Sequence, residues 1–328
     1  MSLRRREFIA GLGAAAAWPI AAARAQRPTL PVVGFLSNDS FAMSTDRLRA
    51  FHEGMREAGY VEGDNVAILY RWAETHADRL PALAADLVRR RVAVLASFGT
   101  ATGLAAKAAT PTIPVVFAVS DDPVRLGLVA SLARPGSNAT GYSLLSAELT
   151  AKRLGLLREM VPRAAKVAAI LDPTLPQTET ASRELEAAAP AMGLKLQILK
   201  ASTSGEINAA FAALAQERPD ALFVPNGHLF DARRVQLVHL ASRHAIPASY
   251  SGREYVEAGG LMSYGPKQVE SFRQIGAYTG RILKGEKPSD LPVVQPTKFE
   301  LVINAQSARL IGIEVPVTLL AQADEIIE

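Results

Sequence analysis

The sequence predicts an α/β protein of two similar lobes, each a doubly wound parallel sheet, joined by a multi-strand hinge. Three observations carry that expectation. Short, near-continuous apolar runs recur along the chain, and such runs suit parallel strands covered on both faces. Segments of helical periodicity alternate with them, the pattern that builds right-handed βαβ units. The alternation also runs through twice, before and after residue 145, as similarity of pattern without a short sequence repeat.

Residues 92–129 hold the pattern at its clearest. An apolar strand over 92–97 leads through a small-residue turn and a short helix to a second apolar strand over 114–118, then a polar loop at 119–123. In open α/β sheets ligands collect at the carboxyl ends of the strands. Ser97, Gly99, Thr100, Ser120 and Asp121 therefore read as one wall of a small-molecule cleft.

From its first residue the chain opens with an address rather than structure. Arg4-Arg5-Arg6 is a basic start with a twin-arginine pattern, residues 8–23 are apolar and rich in Gly and Ala, and Ala23-Arg24-Ala25 is an A-x-A cleavage site. Sec signals also begin with arginines, so the export route stays open between the two. The apolar run is too short, and too broken by Gly11, Gly13 and Pro19, to serve as a membrane span.

Removing residues 1–25 takes Arg4, Arg5, Arg6, Arg24 and Glu7 away and lowers the net charge from +4 to +1. The whole-chain pI of about 9.4 thus overstates the charge available for nucleic acid, and no recognition-helix motif accompanies it. The chain has no cysteine. Disulfides, thiolate nucleophiles, Cys-ligated metals and a lipid-anchored processing site are excluded together, so the mature chain is expected free in the exported (periplasmic) compartment.

After the signal, strands are expected at 32–37, 66–72, 92–97, 114–118 and 139–143. Helices fall between the early ones, at 44–58 with Leu48, Phe51, Met55 and Ala58 on one face, and around Leu80, Leu83, Leu87 and Val88. The second round has a helix at 147–160 and strands at 166–172, 194–200, 221–225, 247–251 and 261–264. Ile207, Ala210, Phe211 and Leu214 mark one of its helices by their 3.6-residue spacing. A helix at 268–283, an extended Pro-rich stretch at 285–296, a strand at 299–303, a helix at 305–310 and an irregular tail at 312–328 complete the chain. The expected division is a signal peptide at 1–25, a first lobe of 30–143 plus 264–290, and a second lobe of 144–263 plus 291–328.

Several stretches resemble the substrate-binding proteins of ABC transporters with a type I periplasmic-binding-protein fold, the group that includes tryptophan-binding proteins. They are Val33-Gly34-Phe35-Leu36-Ser37, the run Phe51-His52-Glu53-Gly54-Met55-Arg56-Glu57-Ala58-Gly59-Tyr60, Pro114-Val115-Val116-Phe117 and Asp122-Pro123-Val124. Later ones are Arg134-Pro135-Gly136-Ser137-Asn138-Ala139-Thr140-Gly141, Met262-Ser263-Tyr264-Gly265, Phe299-Glu300-Leu301-Val302-Ile303-Asn304 and Gly312-Ile313-Glu314-Val315-Pro316. The resemblance covers essentially the whole mature chain. It implies a monomer whose two lobes close on a solute at the hinge and then dock on a membrane permease with its ATPase. It names no solute. The same fold also serves as the ligand domain of regulators and receptors. A DNA-binding segment would precede residue 30, where the export signal stands, but a periplasmic sensor presenting its solute to a membrane kinase stays open.

From the first lobe the ligand wall is expected to include Ser37, Asn38, Ser97, Gly99, Thr100, Ser120 and Asp121. Hydroxyls and backbone N–H groups at helix N-termini suit a carboxylate or another polar solute, with helix capping as the rival role of the Ser and Thr positions. Asp121 suits a ligand amino group or an ordinary turn. From the second lobe and hinge come Asp172, Gln177, Asn226, Tyr250 and Tyr264. Asp172 and Asn226 also suit turns, and the two tyrosines suit either a flat ligand or the core. An amino acid, an aromatic compound or a similar small polar organic solute fits this set.

Enzyme motifs fail the test of spacing. Gly99-Thr100-Ala101-Thr102-Gly103 lacks both the G-x-G-x-x-G pattern and the Gly-Lys of a phosphate loop, and no G-x-S-x-G elbow occurs. His239 and His244 lie about 140° apart round a helix and do not face one metal. His228 lies where a cleft can use it, but a single histidine does not make a catalytic site. No cofactor, metal or catalysis is expected.

Overall fold

The structure, a computed structural model, describes residues 30–41, 44–144 and 149–328. The export signal expected over 1–25 and the start of the helix expected at 147 lie outside them.

The first lobe is wound from β1 (Val32–Ser37), α1 (Thr45–Glu57), β2 (Ala67–Trp72), α2 (Leu80–Arg89), β3 (Val94–Phe98), α3 (Thr100–Ala109), β4 (Val115–Val119) and β5 (Ala139–Ser143). Its sheet has the order β2-β1-β3-β4-β5 and is parallel throughout. Every residue of β3, β4 and β5 is buried, as strands covered on both faces require.

The second lobe repeats that winding. It comprises α4 (Leu149–Met160), β6 (Lys166–Leu171), α5 (Thr178–Ala191), β7 (Lys195–Lys200), α6 (Ser204–Glu217), β8 (Ala221–Phe223), α7 (His228–Ala232), α8 (Arg234–Arg243), β9 (Ala248–Tyr250), α9 (Arg253–Glu257) and β10 (Met262–Pro266). The strand order β7-β6-β8-β9-β10 matches that of the first lobe position for position.

Two features of the end of the chain differ from expectation. The tail expected to be irregular forms α12 (Val317–Gln322) and β12 (Glu325–Ile327), after α10 (Gln268–Leu283), β11 (Phe299–Asn304) and α11 (Ala305–Leu310). The second sheet thereby grows to seven strands. It is also not wholly parallel, because β11 runs antiparallel to β10. No crossover joins that pair from within its own lobe; the chain leaves β10, forms α10 against the first lobe and returns, so the direction is free to reverse. Within the described residues the chain passes from lobe to lobe near Leu144, at Lys267 and at 295–298, and Val294 adds a bridge beside β5 at Tyr142.

Helix α10 covers one face of the first sheet together with α1, and Phe272 stacks on Phe98 at 4.0 Å between centroids. The two helices touch backbone to backbone. A Cβ on Gly54 would overlap the Arg273 carbonyl oxygen, and one on Gly276 the Phe51 carbonyl oxygen. Neither obstacle is a side chain that can turn away. Gly54→Ala is therefore expected to force the helices apart at a cost of about 3 kcal/mol, lowering Tm by roughly 5–10 °C. An unchanged melting curve by circular dichroism would show that this contact is looser than drawn.

Candidate functional site

Both sheets change winding direction between their first and third strands, at β1/β3 and at β6/β8. Ligand crevices of doubly wound sheets open at such points, beyond the carboxyl ends of the strands. The loops there are Ser37 to Asp39 and Gly99–Thr100 in the first lobe, and Asp172 and Asn226 to His228 in the second.

These loops meet through a chain of charges. His228 Nδ1 donates to Asp39 Oδ1 at 2.7 Å, and Arg47 Nη1 donates to Asp39 Oδ2 at 3.1 Å. Arg47 reaches on to Asp231 Oδ2 at 3.6 Å, and the Tyr255 hydroxyl donates to Asp231 Oδ1 at 3.0 Å. Asp39 and Arg47 belong to the first lobe; His228, Asp231 and Tyr255 belong to the second. The Asp39 side chain is 2 % exposed. Burial pushes its pKa up, but His228 and Arg47 outweigh that and hold it down at about 2. Burial pulls the His228 pKa down, and Asp39 more than reverses this, so it lies above the ordinary histidine value. Burial raises the Asp231 pKa against the opposing pull of Arg47. With His228 protonated, the Asp39–His228 contact is an ion pair.

Gly99 lets the lobes come this close. Its φ of 110° lies where side chains are strained, and a Cβ there would run into His228 Nε2. At the same junction the Asn38 Oδ1 and Ser97 Oγ atoms are buried without a hydrogen-bond partner.

Beside this junction a cavity is lined by Ser120 and Asp121 from the first lobe and by Arg153, Asp172, Gln177, Asn226 and Phe230 from the second. It is narrow, with ≈ 30 Å³ of space, enough for one or two waters. Ser120 and Asp121 also line a chamber of ≈ 410 Å³ with Arg125, Ser143 and Thr180. A third space, of ≈ 10 Å³, shares Arg153 and Asn226 with the first and adds Ser251 and Tyr264.

Arg153 is the least compensated charge in this region. It is 3 % exposed, donates from Nη2 to the Val224 carbonyl at 2.6 Å, and lies 4.4 Å over the Phe223 ring. Among the described residues its Nε has no hydrogen-bond partner and no carboxylate forms an ion pair with it. Burial pulls its pKa down to about 9. Asp121 is 7 % exposed and likewise makes no ion pair among the described residues; burial raises its pKa, opposed by Arg125.

The structure brings Ser120, Asp121, Asp172, Gln177 and Asn226 to one cavity, and sets Tyr264 at the space beyond it. Within that set Asp172 has a turn role, its Oδ1 accepting from the Thr174 N–H at 3.0 Å and hydroxyl at 2.7 Å. Gln177 Oε1 has no partner. Tyr264 stacks on Phe299 at 6.0 Å. Ser37, Asn38, Ser97, Gly99 and Thr100 do not line these spaces. Ser37 Oγ accepts from the Asp39 N–H at 3.1 Å, and Thr100 Oγ1 accepts from the Ser120 N–H at 3.2 Å, which shapes the Ser120–Asp121 loop. Tyr250 is a core residue, 1 % exposed and stacked on Tyr255 at 4.8 Å.

Asp39, Arg47, Arg153 and Asp231 escaped the sequence reading. Arg153 carried a signal, since it lies with Thr150, Leu154 and Leu157 on the buried stripe of α4, where a cation stands out. His228 was visible but had no partner in sequence, because Asp39 is 189 positions away.

A model of the family described as ABC transporter substrate binding protein matches residues 29–327. The chain is 26% identical over 267 residues to the tyrosine-binding protein of Clostridioides difficile (strain R20291), covering 81% of this chain and 76% of that protein. Among solved structures it is similar to a conserved domain protein from Vibrio cholerae O1 biovar eltor str. N16961, with 28% identity, TM-score 0.84 and coverage of 90% and 99% of the two chains. It is also similar to the ABC domain in complex with L-Trp from Streptococcus pneumonia, with 25% identity, TM-score 0.83 and coverage of 91% and 100%. Two lobes of the type I periplasmic-binding-protein fold meet over a polar cleft, and the chain belongs to the ABC transporter substrate binding protein family.

Proposed function

We propose that the mature protein is the periplasmic solute receptor of an ABC importer, and that it captures an amino acid, aromatic in the first instance, by closing its lobes. The observation that carries this reading is the Asp39–His228 ion pair, which joins loops of opposite lobes beside a cavity that both lobes line. A ligand touching both walls favours the closed arrangement by its differential affinity for it. The tyrosine-binding and L-Trp-bound relatives supply the solute class. The export pattern of residues 1–25 supplies the compartment, and no helix among the described residues is long and apolar enough to cross a membrane. The remaining partners are a membrane permease and its ATPase, with the receptor itself a monomer.

The test is a thermal-shift panel on the mature chain with L-tyrosine, L-tryptophan, L-phenylalanine, L-leucine, benzoate and nucleosides. A solute present at about 100 times its Kd adds about 2.7 kcal/mol to the folded state. That corresponds to a rise in Tm of roughly 5–10 °C. If only nucleosides shift the curve, the amino-acid class is wrong while solute capture stands; a flat response to every compound would remove both.

A further inference from the structure

We propose that Arg153 is the anchor for a ligand carboxylate, so that the solute is recognised as a carboxylate by the second lobe and, when it is an amino acid, presents its ammonium to Asp121 on the first. The proposal rests on the solute-capture reading above and narrows it to a chemistry.

The argument starts from cost. A guanidinium is always charged in practice, and burying it without a counter-ion is expensive. Buried arginines are therefore met by carboxylates or by several carbonyl oxygens. Arg153 has one carbonyl, that of Val224, and the face of Phe223. Among the described residues its Nε finds no hydrogen-bond partner, although the residue is 3 % exposed. The side chain does not face packed apolar residues alone: it lines both the cavity and the adjoining space at Tyr264. A carboxylate entering there gains a planar, forked donor, the partner that suits it best.

Asp121 completes the pattern with the opposite sign. It sits in the same cavity, on the other lobe, and also borders the larger chamber that has room for a side chain. A zwitterion held by its carboxylate at Arg153 and its ammonium at Asp121 would span the lobes, which ties recognition to closure. A structural arginine would have no reason to leave Nε unpaired at the wall of a cavity it shares with an acid that makes no ion pair among the described residues.

The test compares the wild type with Arg153→Met in two arms. In the ligand-free arm, exchanging an uncompensated buried cation for an apolar side chain of similar length is expected to leave Tm unchanged or raise it. A purely structural arginine predicts the reverse, a Tm several degrees lower through the lost Val224 bond. In the ligand arm, L-tryptophan and L-tyrosine are set against tryptophanamide and tyrosinamide, which keep the ring and the amine but carry no carboxylate. The acids are expected to shift the wild type and the amides to fail, with Arg153→Met weakening the acids about 30-fold or more by calorimetry. Equal binding of acid and amide, or an Arg153→Met variant that binds the acids like wild type, overturns the anchor while solute capture stands. No binding of any solute, charged or neutral, overturns both.

Discussion

Replacing Asp39 with asparagine is expected to weaken solute binding by at least about 100-fold while leaving each lobe folded. The carboxylate is the shared acceptor of His228 from one lobe and Arg47 from its own, and its side chain is 2 % exposed. Removing one partner of a buried ion pair costs about 3–5 kcal/mol, because the charges left behind stay desolvated. Here that cost falls on the closed arrangement, since an open cleft returns His228 to water. The apparent affinity falls with the fraction of closure-competent protein. Calorimetry of the solute found by the panel measures the loss, and small-angle scattering should find the variant open at concentrations that close the wild type. Near-normal affinity would show that the pair is incidental to closure.

The same pair gives closure a pH dependence whose sign follows from its shifts. The Asp39 pKa is held at about 2 where it meets His228 and Arg47, so its contribution is complete above the ordinary carboxylate value near 4 and fades as pH falls from about 4 towards 2. Burial pulls the His228 pKa down and Asp39 more than reverses it, so the contribution of the contact is complete below about 6.5 and is lost as pH rises through the elevated value. Binding should be tightest between about pH 4 and 6.5. Above that window it should weaken by up to about tenfold per pH unit. His228→Gln should flatten the upper limb and weaken the lower one, because Asp39 meets the second lobe through His228. A wild-type affinity that is constant from pH 6 to 9 would remove His228 from the mechanism.

Gly99→Ala is expected to reduce affinity by about 10–100-fold, in line with the 1–3 kcal/mol of a local overpacking. Two costs are present, and they separate experimentally. The backbone at Gly99 has φ 110° and ψ 153°, a region open to glycine alone, so the substitution lowers Tm in any arrangement of the lobes by about 1–3 kcal/mol of strain. The clash with His228 Nε2 exists only when the lobes are together. His228 cannot simply swing aside, because its Nδ1 is held by Asp39 at 2.7 Å. The double variant Gly99→Ala/His228→Ala should therefore bind like His228→Ala alone while keeping the lowered Tm. If Gly99→Ala binds as well as wild type, His228 has room that the contact denies.

Much of the fold was legible because its information is local. Runs such as Val94-Leu95-Ala96 and Val115-Val116-Phe117 are short, β-branched-rich and apolar without alternation, which suits a strand buried on both faces. The three-residue β12 and the antiparallel turn of β11 were not legible, since pairing direction depends on where the chain re-enters the sheet. The loop residues Ser120, Asp121, Asp172, Gln177 and Asn226 could be placed near a cleft by the strand-end rule alone. Tyr250 failed because a tyrosine at a strand end satisfies that rule equally well from inside the core, where it stacks on Tyr255.

The sequence by itself determined the architecture, the export signal pattern and the family, because strand burial, helix periodicity and family motifs are read within a few residues of one another. The tertiary structure alone decided which charges meet. Asp39 and His228 are ordinary residues until two lobes close on each other, and Arg153 is an ordinary helix cation until its stripe turns inward. Electrostatic strength depends on distance and desolvation, and neither quantity exists along the chain; both appear only when segments far apart in sequence share the same dry space.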